Sequence, residues 1–447
     1  MYAAPVPPPH PSAQVIASSS RRHRLFGFPI AHSASPAFQN TLLRFQAGPS
    51  NLDHVPTYSL CETKSVEETH FYNYVRHDPL HGGSGVTMPL KVAVASKLGP
   101  DHILDELDHV GRATMTVNTI VVLPSLEGET SVEKRRMIGT NTDYLGIRHA
   151  LLRSVASQNG LHPAAYMSQD EPYIFPAQIS PQTGDIVKPS AFIIGSGGTC
   201  RSAVWALHNL GLSPLYLLNR DEEESLDVVR HFSSMNIDLR PLRSIEAFEA
   251  EKQLRDQGKV GKIVAAVGAI PAFEPSTADE KMVYTLAHLF FSESYEALKI
   301  SISSAPASKR NLPLPSKRPF LDMCYKPRLT PLLKYAGQTQ TWDPIGGVEA
   351  MVEQGLAQAR MWAASACILT GKVPRDDPLS YATREGDDGP LGKECEEEAR
   401  RLVQSMSDVV VVSPTGPAAT VVDSSNVHIM AAIGTEQKAV LQPQSVH

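Results

Sequence analysis

Cysteine is scarce in this chain and never paired. Cys61, Cys200, Cys324, Cys367 and Cys395 are scattered, with no C-x-x-C spacing. That argues against a disulfide framework or a zinc site and fits a reducing compartment, so the expected location is cytoplasmic. An excess of basic residues is also missing. The net charge is −6, which gives no global field for nucleic acid. No uninterrupted apolar run approaches a bilayer span, so no membrane partner is expected. No internal repeat is visible. No acidic residue precedes Asp53, and Arg21, Arg22 and Arg24 cluster, which has the flavour of a transit peptide. Pro5, Pro7, Pro8, Pro9 and Pro11 would break its amphipathic helix, so residues 1–24 read as a disordered tail.

What is present is enough for two domains: 447 residues, 42% of them hydrophobic. The most informative stretch is Ile193-Ile194-Gly195-Ser196-Gly197-Gly198-Thr199-Cys200-Arg201-Ser202-Ala203. An apolar run ends in glycines and enters a helical pattern. This is the strand–turn–helix of a dinucleotide-binding unit, with Cys200 at the place of the usual third glycine. A second apolar run, Leu215 to Leu218, ends in Asn219-Arg220-Asp221, where a ribose-reading residue should lie. Candidate strands at 191–195, 214–218, 262–267, 318–322 and 339–342 alternate with helices, as a parallel sheet requires. Asp343 to Gly347 then turns into a long helix, Val348 to Leu369.

Upstream of that unit lie several polar blocks at element boundaries. A short strand runs into Ser33-Ala34-Ser35-Pro36, and a helix follows. The two serines are either plain N-caps or a pair of hydroxyls gripping a small carboxylate. Gly82 to Val86 leads through Thr87, Met88 and Pro89 to Lys91. That lysine is either a solvated first-turn residue or part of a tight cleft wall. Asn118 sits in the strand Met115 to Val122, and Asn141-Thr142-Asp143 precedes the helix Tyr144 to Val155 and could merely cap it. Residues 157–188 are proline-rich and read as an insertion. From 373 the chain turns charged and reads as a polar tail, with one solvated helix from Glu394 to Met406.

In this order the blocks resemble the shikimate/quinate dehydrogenase family, in particular its fungal type. Gly27 to Pro36 is similar to that family's substrate-binding opening, and Val86 to Lys91 to its lysine motif. Val117 to Thr119, Gly139 to Asp143, Gly195 to Ala203, Asn219-Arg220, Asp322 to Tyr325 and Gly347 with Met351 and Gln354 continue the series. The resemblance implies an α/β fold with an N-terminal α/β substrate domain and a Rossmann dinucleotide-binding domain. The implied layout is a substrate-binding catalytic domain at 25–156, the insertion at 157–188, the Rossmann domain at 189–345, and a helix at 346–372 returning to the first domain. The polar tail of 373–447 completes it.

By position, Lys91 and Asp143 would be the catalytic pair. Ser33 and Ser35 would hold a substrate carboxylate, and Thr87, Asn118, Asp143 and Gln354 the ring hydroxyls. Gly195, Ser196, Gly197, Gly198, Thr199, Asn219, Arg220 and Asp221 would hold NAD or NADP. Met323, Tyr325 and Gly347 would line the cleft where nicotinamide meets substrate. Asp221 and the three glutamates after it favour NAD, with Arg220 able to tolerate a phosphate. The expected partner is a small cyclic hydroxy acid, and no metal is called for. Gly85, Gln39 and Ala266 to Ile270 depart from the family's usual pattern. The alternative implied by the same resemblance is a non-catalytic sensor or repressor-like protein binding the same ligands.

Overall fold

The computed structural model describes residues 11–31, 33–48, 54–123, 135–167, 172–272, 274–371 and 377–405. Two six-stranded sheets organise it. The first contains β1 (Arg22–Gly27), β2 (Thr57–Glu62), β3 (His81–Val86), β4 (Glu106–Leu107), β5 (Thr119–Leu123) and β6 (Arg136–Thr140), in the spatial order β2-β1-β3-β5-β6-β4. Only β5 runs against its neighbours. Successive side chains on β1 face opposite ways, as the pleat demands. Phe26 joins Val86, Ile120 and Leu90 in one core, while Leu25 joins Tyr58 and Trp362 in another. Around this sheet lie α1 (Ala13–Ala17), α2 (Ser35–Ala47), α3 (Thr69–Arg76), α4 (Leu90–Ala95) and α5 (His109–Thr114).

The helix α6 (Asp143–Gln158) leads to the second unit through the insertion, which holds β7 (Tyr173–Ile174), β8 (Gln178–Ile179) and β9 (Ile186–Val187). The second sheet is built from β10 (Ser190–Ile194), β11 (Leu215–Leu218), β12 (Leu239–Leu242), β13 (Ile263–Gly268), β15 (Arg318–Asp322) and β16 (Trp342–Gly346). The short β14 (Arg310–Asn311) pairs instead with β7. The order β12-β11-β10-β13-β15-β16 is the 3-2-1-4-5-6 order of a Rossmann sheet. All its pairings are parallel. Its central strands are covered on both faces, so they read as unbroken apolar runs. The crossovers are α7 (Gly198–Asn209), α8 (Glu222–Ser233), α9 (Ile245–Asp256), α10 (Ala278–Ser292) and α11 (Pro331–Gln338). The expected α/β class with a Rossmann unit is what the chain adopts.

The helix α12 (Gly347–Leu369) returns from the second sheet to the first. There Trp362 Nε1 donates to Ile120 O at 3.0 Å and Ser365 Oγ to Val122 O at 2.6 Å. It also crosses α6 closely. A Cβ at Gly146 would stand 2.5 Å from Ala350 O, so only glycine permits that approach.

Four expectations need correction. β12 falls in a stretch not read as a strand, and β16 covers the segment read as a turn. Each holds a proline, Pro241 or Pro344, and each lies at an edge of the sheet, where a missing N–H is tolerated. The tail of 1–24 is ordered from residue 11, since β1 begins at Arg22 and Arg24 pairs with Asp78 at 2.9 Å; residues 1–10 lie outside the described residues. The polar tail of 373–447 is packed over 377–405. In that segment α13 (Lys393–Ser405) buries Cys395, Ala399 and Val403 against α2 and α12. Residues 406–447 lie outside the described residues. No helix among the described residues is long and apolar enough to cross a membrane.

Candidate active site

Lys91 and Asp143 come from different elements and meet. Lys91 lies in the first turn of α4, just after β3 ends, and Asp143 opens α6, just after β6 ends. Lys91 Nζ donates to Asp143 Oδ2 at 2.6 Å, with side-chain exposures of 16% and 8%. The pair is sheltered but reachable. Asn118 Nδ2 donates to the other oxygen, Asp143 Oδ1, at 2.8 Å and lies 3.3 Å from Gln354 Oε1. Asn118 Oδ1 accepts from Thr142 N at 2.7 Å, and Thr142 Oγ1 lies 3.2 Å from Gln354 Oε1. The residues just before β5 and just after β6, together with α12, thus hold one network. Thr142 was read only as a possible cap, yet its hydroxyl belongs to this network.

The expected carboxylate grip has a different local structure from an N-cap pair. Ala34 is the N-cap of α2 and offers no side-chain bond, while Ser33 Oγ accepts from Ser35 N at 3.2 Å. The hydroxyls of Ser35 and Thr87 make no hydrogen bond among the described residues. Tyr325, from the Rossmann side, hydrogen-bonds Ser33, while burial pushes its phenol pKa up. Gln39 donates to Gly355 O at 3.0 Å and approaches Gln358, which in turn donates to Asn118 O at 3.2 Å. Gln39 therefore ties α2 to α12 behind the site. At Gly85 a Cβ would stand 2.5 Å from the Tyr58 hydroxyl, so a larger residue has no room there.

The glycine loop closes the other wall. Gly195 has φ +112°, and a Cβ there would lie 2.8 Å from Ala269 O. Gly197 is the N-cap of α7 and makes no side-chain cap bond, while a Cβ on it would meet nothing within 4 Å. The helix therefore starts with free N–H groups and open space, which suits a pyrophosphate. The loop leans on the lysine: a Cβ at Gly198 would be 3.3 Å from Lys91 Cβ, and Lys91 Nζ is 3.4 Å from Thr199 Oγ1. Beyond the loop, Asp221 caps α8 by accepting from Glu224 N at 3.0 Å. Arg220 pairs with Glu280 at 2.5 Å. The carboxylate turned towards the loop is that of Glu224, which accepts from Ser196 Oγ at 2.5 Å and lies 3.5 Å from Asn219 Nδ2.

The last wall follows β15. Met323 N donates to Gly268 O at 2.8 Å, and a Cβ at Gly347 would be 2.5 Å from Met323 O. Gly347 is thus the only residue type that lets the start of α12 sit on Met323. Asp322, just before, accepts from Thr330 Oγ1 at 2.6 Å and from Cys324 N at 3.1 Å. Burial raises its carboxyl pKa to about 6, and those two bonds oppose the rise. The residues present fit a nicotinamide dinucleotide: an uncapped helix start, an open glycine loop and a carboxylate at the ribose end.

Comparison with known proteins gives one family match. Residues 25–120 match the model of the shikimate dehydrogenase substrate binding domain. Among solved structures, the chain is similar to dehydroquinate dehydratase and shikimate dehydrogenase from S. pombe. That likeness has 25% identity over 78% of this chain and 52% of that one, with a TM-score of 0.49. The chain thus spans about half the length of the S. pombe protein. It is also similar to shikimate 5-dehydrogenase from Thermus thermophilus, solved with NADP(H) and shikimate, at 22% identity over 86% and 99% of the two chains, with a TM-score of 0.47. Quinate dehydrogenase from Corynebacterium glutamicum, solved with NAD, is 15% identical over 87% and 100%, with a TM-score of 0.48. Through its residues 25–120, the chain is similar to the shikimate dehydrogenase substrate binding domain.

Proposed function

We propose that the chain is a nicotinamide-dependent dehydrogenase that interconverts shikimate, or quinate, and the corresponding 3-dehydro ketone. The observation that carries this reading is the Lys91–Asp143 contact at 2.6 Å, placed against the glycine loop through Thr199. Oxidising a secondary alcohol requires a proton acceptor at the hydroxyl and a hydride acceptor facing the carbon. The nicotinamide supplies the hydride acceptor when bound. Lys91 Nζ takes the hydroxyl proton as the carbon gives up hydride, and returns it when the ketone is reduced. Asp143 aims Lys91 and accepts from the same hydroxyl, while Asn118 fixes the Asp143 carboxylate. The free hydroxyls of Ser35 and Thr87, together with Ser33, Tyr325 and Gln354, would hold the rest of the substrate. Gly195 to Thr199, Asn219 and Arg220 would hold the cofactor, with Met323 and Gly347 beside the nicotinamide.

NAD is the preferred cofactor in this reading, because the Glu224 carboxylate faces the loop where a 2′-phosphate would add negative charge. The test is turnover of the purified chain with shikimate and with quinate, each with NAD and NADP. Substrate-dependent cofactor reduction supports the proposal. Saturable binding of these acids without turnover in any combination replaces it with the sensor reading.

A further inference from the structure

Beside α6, next to Asn141 and Thr142, opens a cavity of about 1020 Å³ whose walls do not include Lys91, Asp143, Asn118 or Gln354. Its walls come from β4, α5, β6, α6, α12, Lys309 and the segment 377–383. Leu107, Ile138, Leu145, Met361 and Leu379 give it apolar surface. Arg148 lies at its wall, only 5% exposed. Among the described residues, its guanidinium makes no hydrogen bond and no ion pair.

That is exceptional in this molecule. Five other arginines are under a tenth exposed: Arg24, Arg135, Arg255, Arg318 and Arg360. Arg24 has Asp78, Arg255 has Glu293, and Arg360 takes both oxygens of Glu396. Arg135 donates to two backbone carbonyls, and Arg318 to Glu293 O and Thr341. A buried cation without an acceptor is costly, so Arg148 stands out as a charge waiting for one. Burial lowers its pKa, and only the neighbouring Tyr144 opposes this.

The carboxylates on the same walls are already engaged elsewhere. Glu106 pairs with Arg136, and Asp108 accepts from Gly111 N and Thr140 Oγ1. Asp377 accepts from Leu379 N. Arg112 and Lys309 add exposed positive charge at the cavity. His109 lies 3.9 Å from Asp108.

We propose that this cavity is a second ligand site, separate from the cleft, which takes an organic carboxylate with its anion on Arg148 and its apolar body on Leu107, Ile138, Leu145 and Met361. A guanidinium fork matches a carboxylate in bidentate fashion. The Tyr144 hydroxyl, which has no hydrogen bond among the described residues, supplies a further donor on the same helix. The apolar walls favour a carboxylate carried on a ring or chain over a fully hydrated inorganic anion.

The experiment is calorimetric titration of the full chain with phenylacetate and, separately, with inorganic phosphate. Shikimate is kept saturating so that the cleft is occupied. Wild type should bind phenylacetate, and Arg148→Met should lose at least about tenfold in affinity. Arg148→Lys, which keeps the charge but not the fork, should fall between them and serves if Arg148→Met does not fold. Without ligand, Arg148→Met should melt no lower than wild type, because it removes an unpaired buried charge. No binding of phenylacetate by wild type, equal binding by the variants, tighter binding of phosphate than of phenylacetate, or a lower melting temperature for Arg148→Met would each overturn the proposal.

Discussion

Two clusters of opposite charges meet on α12, and they are built differently. At one end, Gln354 touches the network of Lys91, Asp143 and Asn118. Lys91 keeps 16% of its side chain exposed, holds one carboxylate oxygen and lies 3.4 Å from Thr199 Oγ1. One residue away, Glu353 is fully buried and is approached by Arg153, Arg400 and His149. Two helical turns further on, Arg360 is also fully buried and takes both oxygens of Glu396 from α13. The buried cluster is closed to solvent, although His149 Nε2 and Arg153 Nε make no hydrogen bond within it. The cleft pair keeps part of its surface exposed, as the proton-transfer role proposed for it requires. Burial, rather than charge alone, separates the two clusters.

The buried cluster should therefore fail through stability. Deleting residues 372–447 removes α13 with its apolar stripe and its pairs to Arg360 and Glu353. We expect the truncated chain to be insoluble or unfolded, and a soluble fragment with wild-type melting would break the comparison. Glu396→Ala removes both carboxylate hydrogen bonds from Arg360, leaving Glu385 at 3.7 Å, and should cost about 3 kcal/mol, read by denaturant unfolding. An unchanged midpoint would make the tie dispensable.

A smaller effect is expected from acid. Burial depresses the His23 pKa to about 3 and that of His81 in the same direction, with Arg21 and Arg24 adding repulsion. The unfolded chain takes up these protons near 6.5, whereas the folded chain does not. Stability is therefore full above pH 6.5 and is lost as pH falls from there towards 3. Asp322 works in the opposite sense. Its raised pKa gives stability present below about 3.8 and lost as pH rises through about 6. Melting temperature should fall below pH 6.5, and His81→Leu should flatten that fall, since neither ring nitrogen has a partner. An unchanged profile in the variant would remove His81 from the account.

The smallest effect separates two neighbouring acids. Glu224→Lys should move the ratio of NADP to NAD turnover towards NADP by about tenfold, or ~1.4 kcal/mol. Asp221→Ala should leave that ratio alone and cost about 1 kcal/mol of stability as a lost cap. If Asp221→Ala moves the ratio and Glu224→Lys does not, the roles are reversed.

The glycine loop and the strands that flank it were legible in the sequence because each rests on a local pattern, whereas the pairing of Lys91 with Asp143 was an expectation of the family resemblance. The unbroken runs Ala191 to Ile194 and Leu215 to Leu218 announce buried parallel strands. What was not legible depends on partners far away in the chain. Cys395, Ala399 and Val403 form a stripe of small residues among charges, and only Arg360 and Glu353 reveal that the helix is buried. β1 begins with Arg22, His23 and Arg24, whose burial depends on Asp78 and Trp362. Glu224 looked like one of three acids starting a helix. Its aim at Ser196 depends on how α8 approaches the loop.

The central claim is that the Lys91–Asp143 pair performs proton transfer. The most direct measurement is the steady-state turnover of Lys91→Ala beside the affinity of the same variant for shikimate and for cofactor. The account predicts a turnover loss of roughly 100-fold or more, with substrate affinity reduced far less and an unchanged melting temperature. Near-normal turnover in Lys91→Ala would contradict it and remove the lysine from the chemistry.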